Sequence, residues 1–261
     1  MIGSRVEGVG LLTGWGDGVE SLPASARRAA GDRRVLPLAR PDLAGDRFRR
    51  ATRECLLGVA AVGALLRRAG LDAAAIRGSS TALVYVTAGA YGPSNRAFIE
   101  ARAGGQSLHF PYTAPSAVPA EVAIEFGLTG GYLILIGGGA TTIDALWQAT
   151  TLVQTGACAR ALVLAVEVFE ECESLWTRGR WLLGRPLVEA AACALLGPGE
   201  SRVTYGPARG PSELERSARA RAGQTLACEP LIGLALARER GQRSLTLTGE
   251  WRGRRATLEW N

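Results

Sequence analysis

The chain has 261 residues, of which 47% are hydrophobic, and a formal net charge of +6 at neutral pH. This length and apolar content suit one large domain with a real core, or a duplicated α/β unit treated as one, and give no sign of a disordered tail. All thirty basic residues are arginine, which excludes chemistry that needs lysine, such as a Schiff base or a P-loop.

The hydropathy and charge of the chain predict its cellular compartment and the classes of partner that it does not bind. The longest apolar run, residues 56–66, is shorter than the roughly 18 residues that a membrane span needs. The first ten residues lack the apolar core of a signal peptide, so we expect a cytoplasmic protein. The arginines are spread along the chain and not interleaved with aromatic residues, so we expect neither nucleic acid nor membrane as a partner.

The cysteines and the single histidine bear on metal and cofactor chemistry. The five cysteines form no CxxC pair and lie in apolar surroundings, so we interpret them as buried free thiols. His109 is far from all of them in the sequence, and we therefore expect no metal site. Residues 5–15 predict a strand with a glycine-rich turn, but Thr13 stands where a dinucleotide fingerprint would need its third glycine. We expect no cofactor, and a nucleotide-dependent oxidoreductase stays open only as an alternative.

The first half of the chain alternates between predicted helices and strands. Residues 47–68 form the clearest helix, which Gly70 ends, after a shorter helical segment at residues 23–30. The run TALVYVT at residues 81–87 predicts a buried strand. A helix is expected from residue 94 to about 103, and another from Pro119 to about residue 126.

Residues 130–167 are the centre of the predicted fold. The apolar run at residues 132–136 predicts a strand buried on both faces, and Gly137, Gly138 and Gly139 follow it as a turn. Thr141 and Asp144 are interpreted as an N-terminal capping pair of a helix that Gly156 ends. A further buried strand at residues 161–166 completes a right-handed βαβ unit.

The C-terminal part is predicted from weaker signals. Residues 187–196 read as a strand, and the Arg- and Ser-rich residues 207–223 as a solvated loop. Residues 229–240 predict a helix with Pro230 in its first turn and Gly241 after its end. The alternating residues 244–248 and 256–260 predict a terminal hairpin.

Taken in this order, the segments resemble the N-terminal half of a β-ketoacyl synthase, a condensing enzyme of the thiolase fold. The resemblance extends over about residues 5–205. It rests on the segments VEGVGLLTGWG, RFRRATRECLLGVAAVGALLRRAGLD, TALVYVTAGAYG, FPYTAPSAVPAEVAIEFGLTGG and QTGACARALVLAVEVFE. It implies an α/β, thiolase-like βαβ layered fold with a truncated second half. Residues 1–206 would be the ketosynthase-like half, and residues 207–261 a shortened helix and hairpin on the same core.

The same resemblance implies that the reacting group is missing. In ketosynthases the turn between this strand and helix carries a cysteine nucleophile, activated by the helix dipole and adjacent amides. Counting back from Gly156 places that position at Gly139, and glycine cannot attack a thioester. The family's second half supplies two histidines and a lysine, whereas this chain has one histidine and no lysine. Condensation by the family mechanism is therefore excluded.

Two interpretations of the glycine turn stay open. Its amides at a helix N-terminus are able to form an acyl or oxyanion pocket, or the glycines are relics of a lost active site. The residues of this possible pocket are Gly137, Gly138, Ala140, Thr141, His109 and Thr113. An alternative function, an acyl-thioester transferase or hydrolase, would use His109 as general base with a nearby hydroxyl.

The leading hypothesis is a catalytically inactive ketosynthase-like protein of a polyketide- or fatty-acid-type pathway. It would act like a chain-length factor, as partner of an active ketosynthase or an acyl carrier protein. The resemblance implies a homodimer or heterodimer, because thiolase-fold proteins pair the strand before the nucleophile edge to edge. That strand consists of Tyr132, Leu133, Ile134, Leu135 and Ile136.

Overall fold

A six-stranded mixed sheet runs through the centre of the computed structural model, which describes residues 3–102, 110–174 and 186–261. The strands lie in the spatial order β2 (Gly16–Asp17), β1 (Gly3–Thr13), β8 (Ala190–Gly199), β6 (Arg160–Glu167), β4 (Thr81–Thr87) and β5 (Tyr132–Ile136). β5 and β6 both pair parallel with β4, one on each side, while β8 pairs antiparallel with β6 and β1. The sequence therefore predicted β4 and β5 with the bounds that the structure has.

Helices cover both faces of this sheet. The helices are α1 (Ala26–Ala30), α2 (Arg53–Ala69), α3 (Gly92–Arg102), α4 (Ala117–Phe126), α5 (Gly139–Gln154), α6 (Glu213–Ala222) and α7 (Glu229–Glu239). α2 and α4 pack on one face, in a core that includes Leu83 and Leu164. α5 and α7 pack on the other, in a core that includes Val84 and Val163. Neighbouring residues of one strand thus enter opposite cores, as the two-residue period of a strand requires.

A second, smaller sheet lies on the far side of α5. It contains β10 (Leu245–Trp251), β11 (Arg254–Trp260) and β9 (Val203–Pro207), all antiparallel, in that spatial order. Leu247 and Leu258 of this sheet are buried in the same core as Ile143 and Leu146 of α5. α5 is therefore enclosed between a large and a small sheet. A short parallel pair, β3 (Val35–Leu36) and β7 (Leu187–Val188), lies apart from both.

The bounds of the helix predicted at residues 47–68 and of the strand predicted at residues 187–196 have identifiable structural reasons for their differences. α2 begins at Arg53 and not at residue 47, because Thr52 is extended and separates it from the short 3-10 helix Asp46–Arg49. The strand predicted at residues 187–196 is divided at Glu189. The carboxylate of this residue accepts hydrogen bonds from the backbone amides of Leu38, Phe169 and Glu170.

The prediction of a solvated loop at residues 207–223 was wrong, because α6 lies there. Ser212 caps this helix by accepting a hydrogen bond from the amide of Glu215. Leu214 and Ala218 are buried, and Glu215 is buried as an ion pair with Arg219. The charged residues that suggested a loop thus include Glu215 and Arg219, which form an ion pair.

The expected burial of residues 132–136 was also wrong. Among the residues that the structure describes, β5 is the edge of the large sheet and pairs with β4 alone, so one side of it has no neighbouring strand. Tyr132 is 65% exposed and Ile136 49% exposed. The five cysteines are buried and free, as predicted. Among the described residues, no helix is both long and apolar enough to span a membrane.

Candidate functional site

The glycine turn joins the carboxyl end of β5 to the first turn of α5. Gly138 is the N-cap of the helix, and no side chain accepts a hydrogen bond there. The amides of Thr141 and Thr142 donate to the carbonyl of Gly138, and the amide of Gly137 donates to the carbonyl of Thr87 at 2.9 Å. The predicted capping by Thr141 and Asp144 is therefore wrong, because the helix begins two residues earlier, at Gly139.

Strand β10 of the small sheet closes directly over this turn. A Cβ atom added to Gly139 would lie 3.2 Å from the amide nitrogen of Glu250 and 3.3 Å from the Cα of Gly249. A Cβ on Gly249 would in turn lie 2.3 Å from the carbonyl oxygen of Gly139. The two backbones approach this closely only because glycine stands on both sides.

The indole ring of Trp251 covers the turn at Gly138, the residue before Gly139. A Cβ on Gly138 would lie 2.4 Å from Cε3 of its ring. Gly137, Gly138, Gly139 and Ala140 are all buried, so solvent does not reach the turn. Strand β10 of the same chain therefore covers the position that the resemblance assigns to a nucleophile.

All five thiols of the protein are buried and have raised pKa values. Burial raises the pKa of Cys55 to about 12, and it also raises the pKa values of Cys193 and Cys228. A thiol with a raised pKa carries little thiolate at neutral pH, and thiolate is the nucleophilic form. Among the described residues, no group of His, Cys, Asp or Glu side chains is arranged to hold a metal ion.

Glu167 is a buried carboxyl group close to the turn that sequence reasoning did not single out. It ends β6 and accepts hydrogen bonds from the amides of Ala88 at 2.6 Å and Ala227 at 3.3 Å. The hydroxyl of Thr87, whose carbonyl holds the glycine turn, donates to it as well. Burial raises the pKa of Glu167 to about 8, although the backbone hydrogen bonds oppose this shift. The sequence signal for Glu167 was a single acidic residue at the end of an apolar strand.

Thr113 forms its hydrogen bonds with residues outside the turn, whereas Thr141 lies at the turn, where its hydroxyl group occupies the space of a Cβ on Gly137. The Thr113 hydroxyl donates to the carbonyl of Phe110, and the Thr113 carbonyl accepts from the Asn95 side chain. These contacts form a local turn before α4. His109 lies outside the described residues.

Thr141 and Asp144 contribute to a different feature, on the flank of α5 next to β5. Both line a cavity of about 380 Å³ together with Leu135, Trp147, Tyr205 and Arg254. Arg254 donates to both carboxylate oxygens of Asp144, one of them at 2.7 Å, and the Tyr205 hydroxyl donates to the same group. The rings of Trp147 and Tyr205 stack with centroids 5.6 Å apart. Asp144 therefore ties α5 to the small sheet.

Residues 40–184, more than half of the chain, match the family model of the β-ketoacyl synthase N-terminal domain. No curated protein sequence matches the chain. The solved structures agree with the family match. A β-ketoacyl synthase from Burkholderia phymatum STM815 has a TM-score of 0.74 and 14% sequence identity, over 100% of this chain and 99% of that chain.

Two complexes contain similar chains. A type II polyketide synthase acyl-carrier protein in complex with its ketosynthase gives a TM-score of 0.76 at 13% identity, covering 100% of this chain and 99% of that chain. A ketosynthase in complex with its chain length factor, from Xenorhabdus doucetiae, gives 0.66 at 16% identity over 100% of both chains. At such identities the likeness shows the fold alone, and it confirms the predicted thiolase-like class.

Proposed function

Because the chain belongs to the β-ketoacyl synthase family through its N-terminal domain, we propose that it is a catalytically inactive ketosynthase-like protein. It serves a polyketide- or fatty-acid-type pathway and acts like a chain-length factor. Its partner is an active ketosynthase, an acyl carrier protein, or both. Residues 207–261 take the place of the family's second half in this proposal.

The observation that carries the proposal is the closed glycine turn. Gly139 has no side chain to receive an acyl group, and the backbone of Gly249 and Glu250 lies against it. An acyl thioester would have to displace β10 before it reached the amides at the start of α5. Loss of the nucleophile together with loss of access supports a role without acyl transfer at this position.

The edge of β5 supports the assignment of a protein partner. No strand within the described ranges pairs with its outer side, and Tyr132, Leu133 and Ile136 are exposed large hydrophobic side chains. An exposed apolar edge of this kind invites pairing with a strand of another chain. β5 carries no charge, so two copies or two homologous chains can pair there without like charges facing each other. The +6 net charge additionally complements an acidic carrier protein.

Co-purification tests the partnership. The tagged chain is co-expressed with the ketosynthase and the acyl carrier protein of its own gene neighbourhood, and each is sought in the eluted complex at moderate salt. We expect a stable complex with at least one of them. Recovery of the chain alone, as a monomer, argues against the proposal.

Acyl loading tests the inactivity separately. The purified chain is incubated with acyl and malonyl thioesters and followed by intact-mass spectrometry and thiol release. We expect no covalent acyl adduct and no thioester turnover above the uncatalysed rate. Turnover that survives Gly139→Ala would place an activity elsewhere in the chain and remove the assignment as an inactive protein.

A further inference from the structure

A second cavity lies between the start of α2 and the start of α3, on the opposite face of the large sheet from α5. Its volume is about 730 Å³, within the range of roughly 300–1,000 Å³ that is usual for small-molecule sites. None of the residues that line it belongs to the glycine turn or to β5. It is therefore a separate feature, and the proposed partnership does not depend on it.

Arginines at the wall of this cavity carry charge that the protein does not neutralise. Arg53 is saturated by Glu171 and Glu189, and Arg49 pairs with Asp46. Arg40, by contrast, donates only to the backbone carbonyl of Ala51. The backbone amide of Arg50 donates to the carbonyl of Phe48, but its guanidinium group makes no hydrogen bond or ion pair with the residues that the structure describes. Within that part of the chain, the guanidinium groups of Arg40 and Arg50 thus border the cavity without a carboxylate partner.

The interior of the cavity carries polar groups of its own. Glu54 and Ser94 line it, and each is only 3% exposed. The Ser94 hydroxyl donates to one carboxyl oxygen of Glu54. Burial raises the pKa of Glu54, which shifts this carboxyl group toward its neutral form. Glu171 also lines the cavity, and its carboxylate is held by Arg53.

We propose that this cavity binds an anionic small molecule, whose carboxylate or phosphate group is held by Arg40 and Arg50. A hydrogen-bonding group on the body of the ligand reaches Glu54 and Ser94. Planar guanidinium groups suit this recognition because they bind carboxylate and phosphate oxygens in a bidentate manner. Ala97 and Tyr112 also line the cavity and supply apolar surface for the body of the ligand.

Calorimetric titration of the full chain with succinate and with glycerol 3-phosphate tests the site and identifies the anion. We expect saturable binding of at least one of them and none of succinamide, which has the shape of succinate without its charge. Arg50→Ala should weaken binding by about tenfold or more, since it removes a charge-assisted contact. Arg209→Ala, which removes the same charge from an exposed loop residue, should leave binding unchanged.

Ala97→Phe distinguishes the cavity from a merely basic surface. It fills the interior and leaves every arginine in place, so it should abolish binding of the ligand that the wild type accepts. Unchanged folding is checked by thermal unfolding of each variant. The proposal is overturned if neither anion binds saturably, if succinamide binds as well as succinate, or if Arg209→Ala weakens binding as much as Arg50→Ala. Binding that survives Ala97→Phe overturns it as well.

Discussion

Trp251 lies directly against Gly138, so that the indole ring occupies the space in which any side chain at position 138 would lie. The contact joins the last hairpin of the chain to the turn that precedes α5, more than a hundred residues earlier. It buries the turn to which the resemblance assigns the reacting group of the family. The first two predictions follow from this contact and its neighbour at Gly139.

Gly138→Ala should destabilise the protein. The new Cβ would lie 2.4 Å from Cε3 of Trp251, so the ring or the helix start must shift, at a cost of about 1–3 kcal/mol. Gly131→Ala is the matched control, because a Cβ there meets nothing within 4 Å. Urea unfolding measures both variants. Equal stability of the two would mean that Trp251 does not cover the turn in solution.

Gly139→Cys should not produce a reactive thiol. The Cβ would lie 3.2 Å from the Glu250 amide, beneath β10, and a covered thiol is reached by neither alkylating reagents nor acyl thioesters. Gln148→Cys, on the exposed side of α5, gives the rate of an accessible thiol. The five native cysteines are buried and contribute little background. Iodoacetamide labelling of Gly139→Cys as fast as of Gln148→Cys would show that the hairpin opens.

Leu133→Lys should abolish association through β5 and leave the fold intact. Leu133 is already 42% exposed, so the charged side chain costs the isolated chain little, whereas at a strand-to-strand interface it would be desolvated. We expect affinity for the partner to fall by about tenfold or more. Ile124→Lys, at a 66% exposed residue of α4, is the control. Light scattering and co-purification report the outcome, and equal effects of the two substitutions would exclude β5 as the interface.

Glu215→Gln should destabilise α6 and the small sheet. Burial raises the pKa of Glu215, but hydrogen bonds from Arg255 and Thr248 outweigh it and leave the pKa lowered. The substitution removes the carboxylate that Arg219 and Arg255 share. Because each arginine keeps a second carboxylate partner, the cost is about 1.5–3 kcal/mol. Glu213→Gln, whose side chain is 71% exposed, should change stability by less than about 1 kcal/mol.

The dependence of stability on pH in acid tests the contribution of Glu215. Because the folded pKa is depressed, the stabilisation by Glu215 is complete above its unfolded pKa of about 4.3 and is lost as the pH falls through the folded pKa. The wild type should therefore lose stability in acid more steeply than Glu215→Gln. Parallel curves would contradict the assignment.

Glu167→Gln should remove a pH dependence of stability that is opposite in sign to the one from Glu215. With a folded pKa of about 8, Glu167 keeps its proton in the folded state while the unfolded chain ionises above about pH 4.3. Its contribution is therefore complete below the unfolded pKa and is lost as the pH rises toward about 8. The stability of Glu167→Gln relative to wild type should increase over this window. Glu100→Gln, 63% exposed, should show no such trend in urea unfolding.

Local patterns predicted most of the regular elements. The strands at residues 81–87 and 132–136 were found from their short apolar, β-branched runs, although only the first of them is buried on both faces. α4 and α7 were found from proline in the first turn and glycine after the last. These signals act over a few residues of sequence, so the chain order of the fold was predictable.

Pairings between distant residues were not predictable in the same way. α6 was missed because its arginines look like a solvated surface until Glu215, Glu229 and Arg255 are placed around them. Asp144 was taken as a helix cap, whereas Arg254, from the other end of the chain, binds it. The exposed side of β5 also depended on strand order, which periodicity does not specify.

The amino-acid sequence by itself determined that Gly139 offers no nucleophile and that the chain has no lysine, because residue identity needs no fold to be known. Only the tertiary structure decided what occupies the place of the missing side chain. Gly249 and Trp251 come to the turn through the packing of the small sheet on α5, a contact between residues that are far apart in the chain. The sequence alone left two interpretations of Gly139, as a relic or as part of a binding site. In the folded protein its backbone packs closely against the backbone of Gly249.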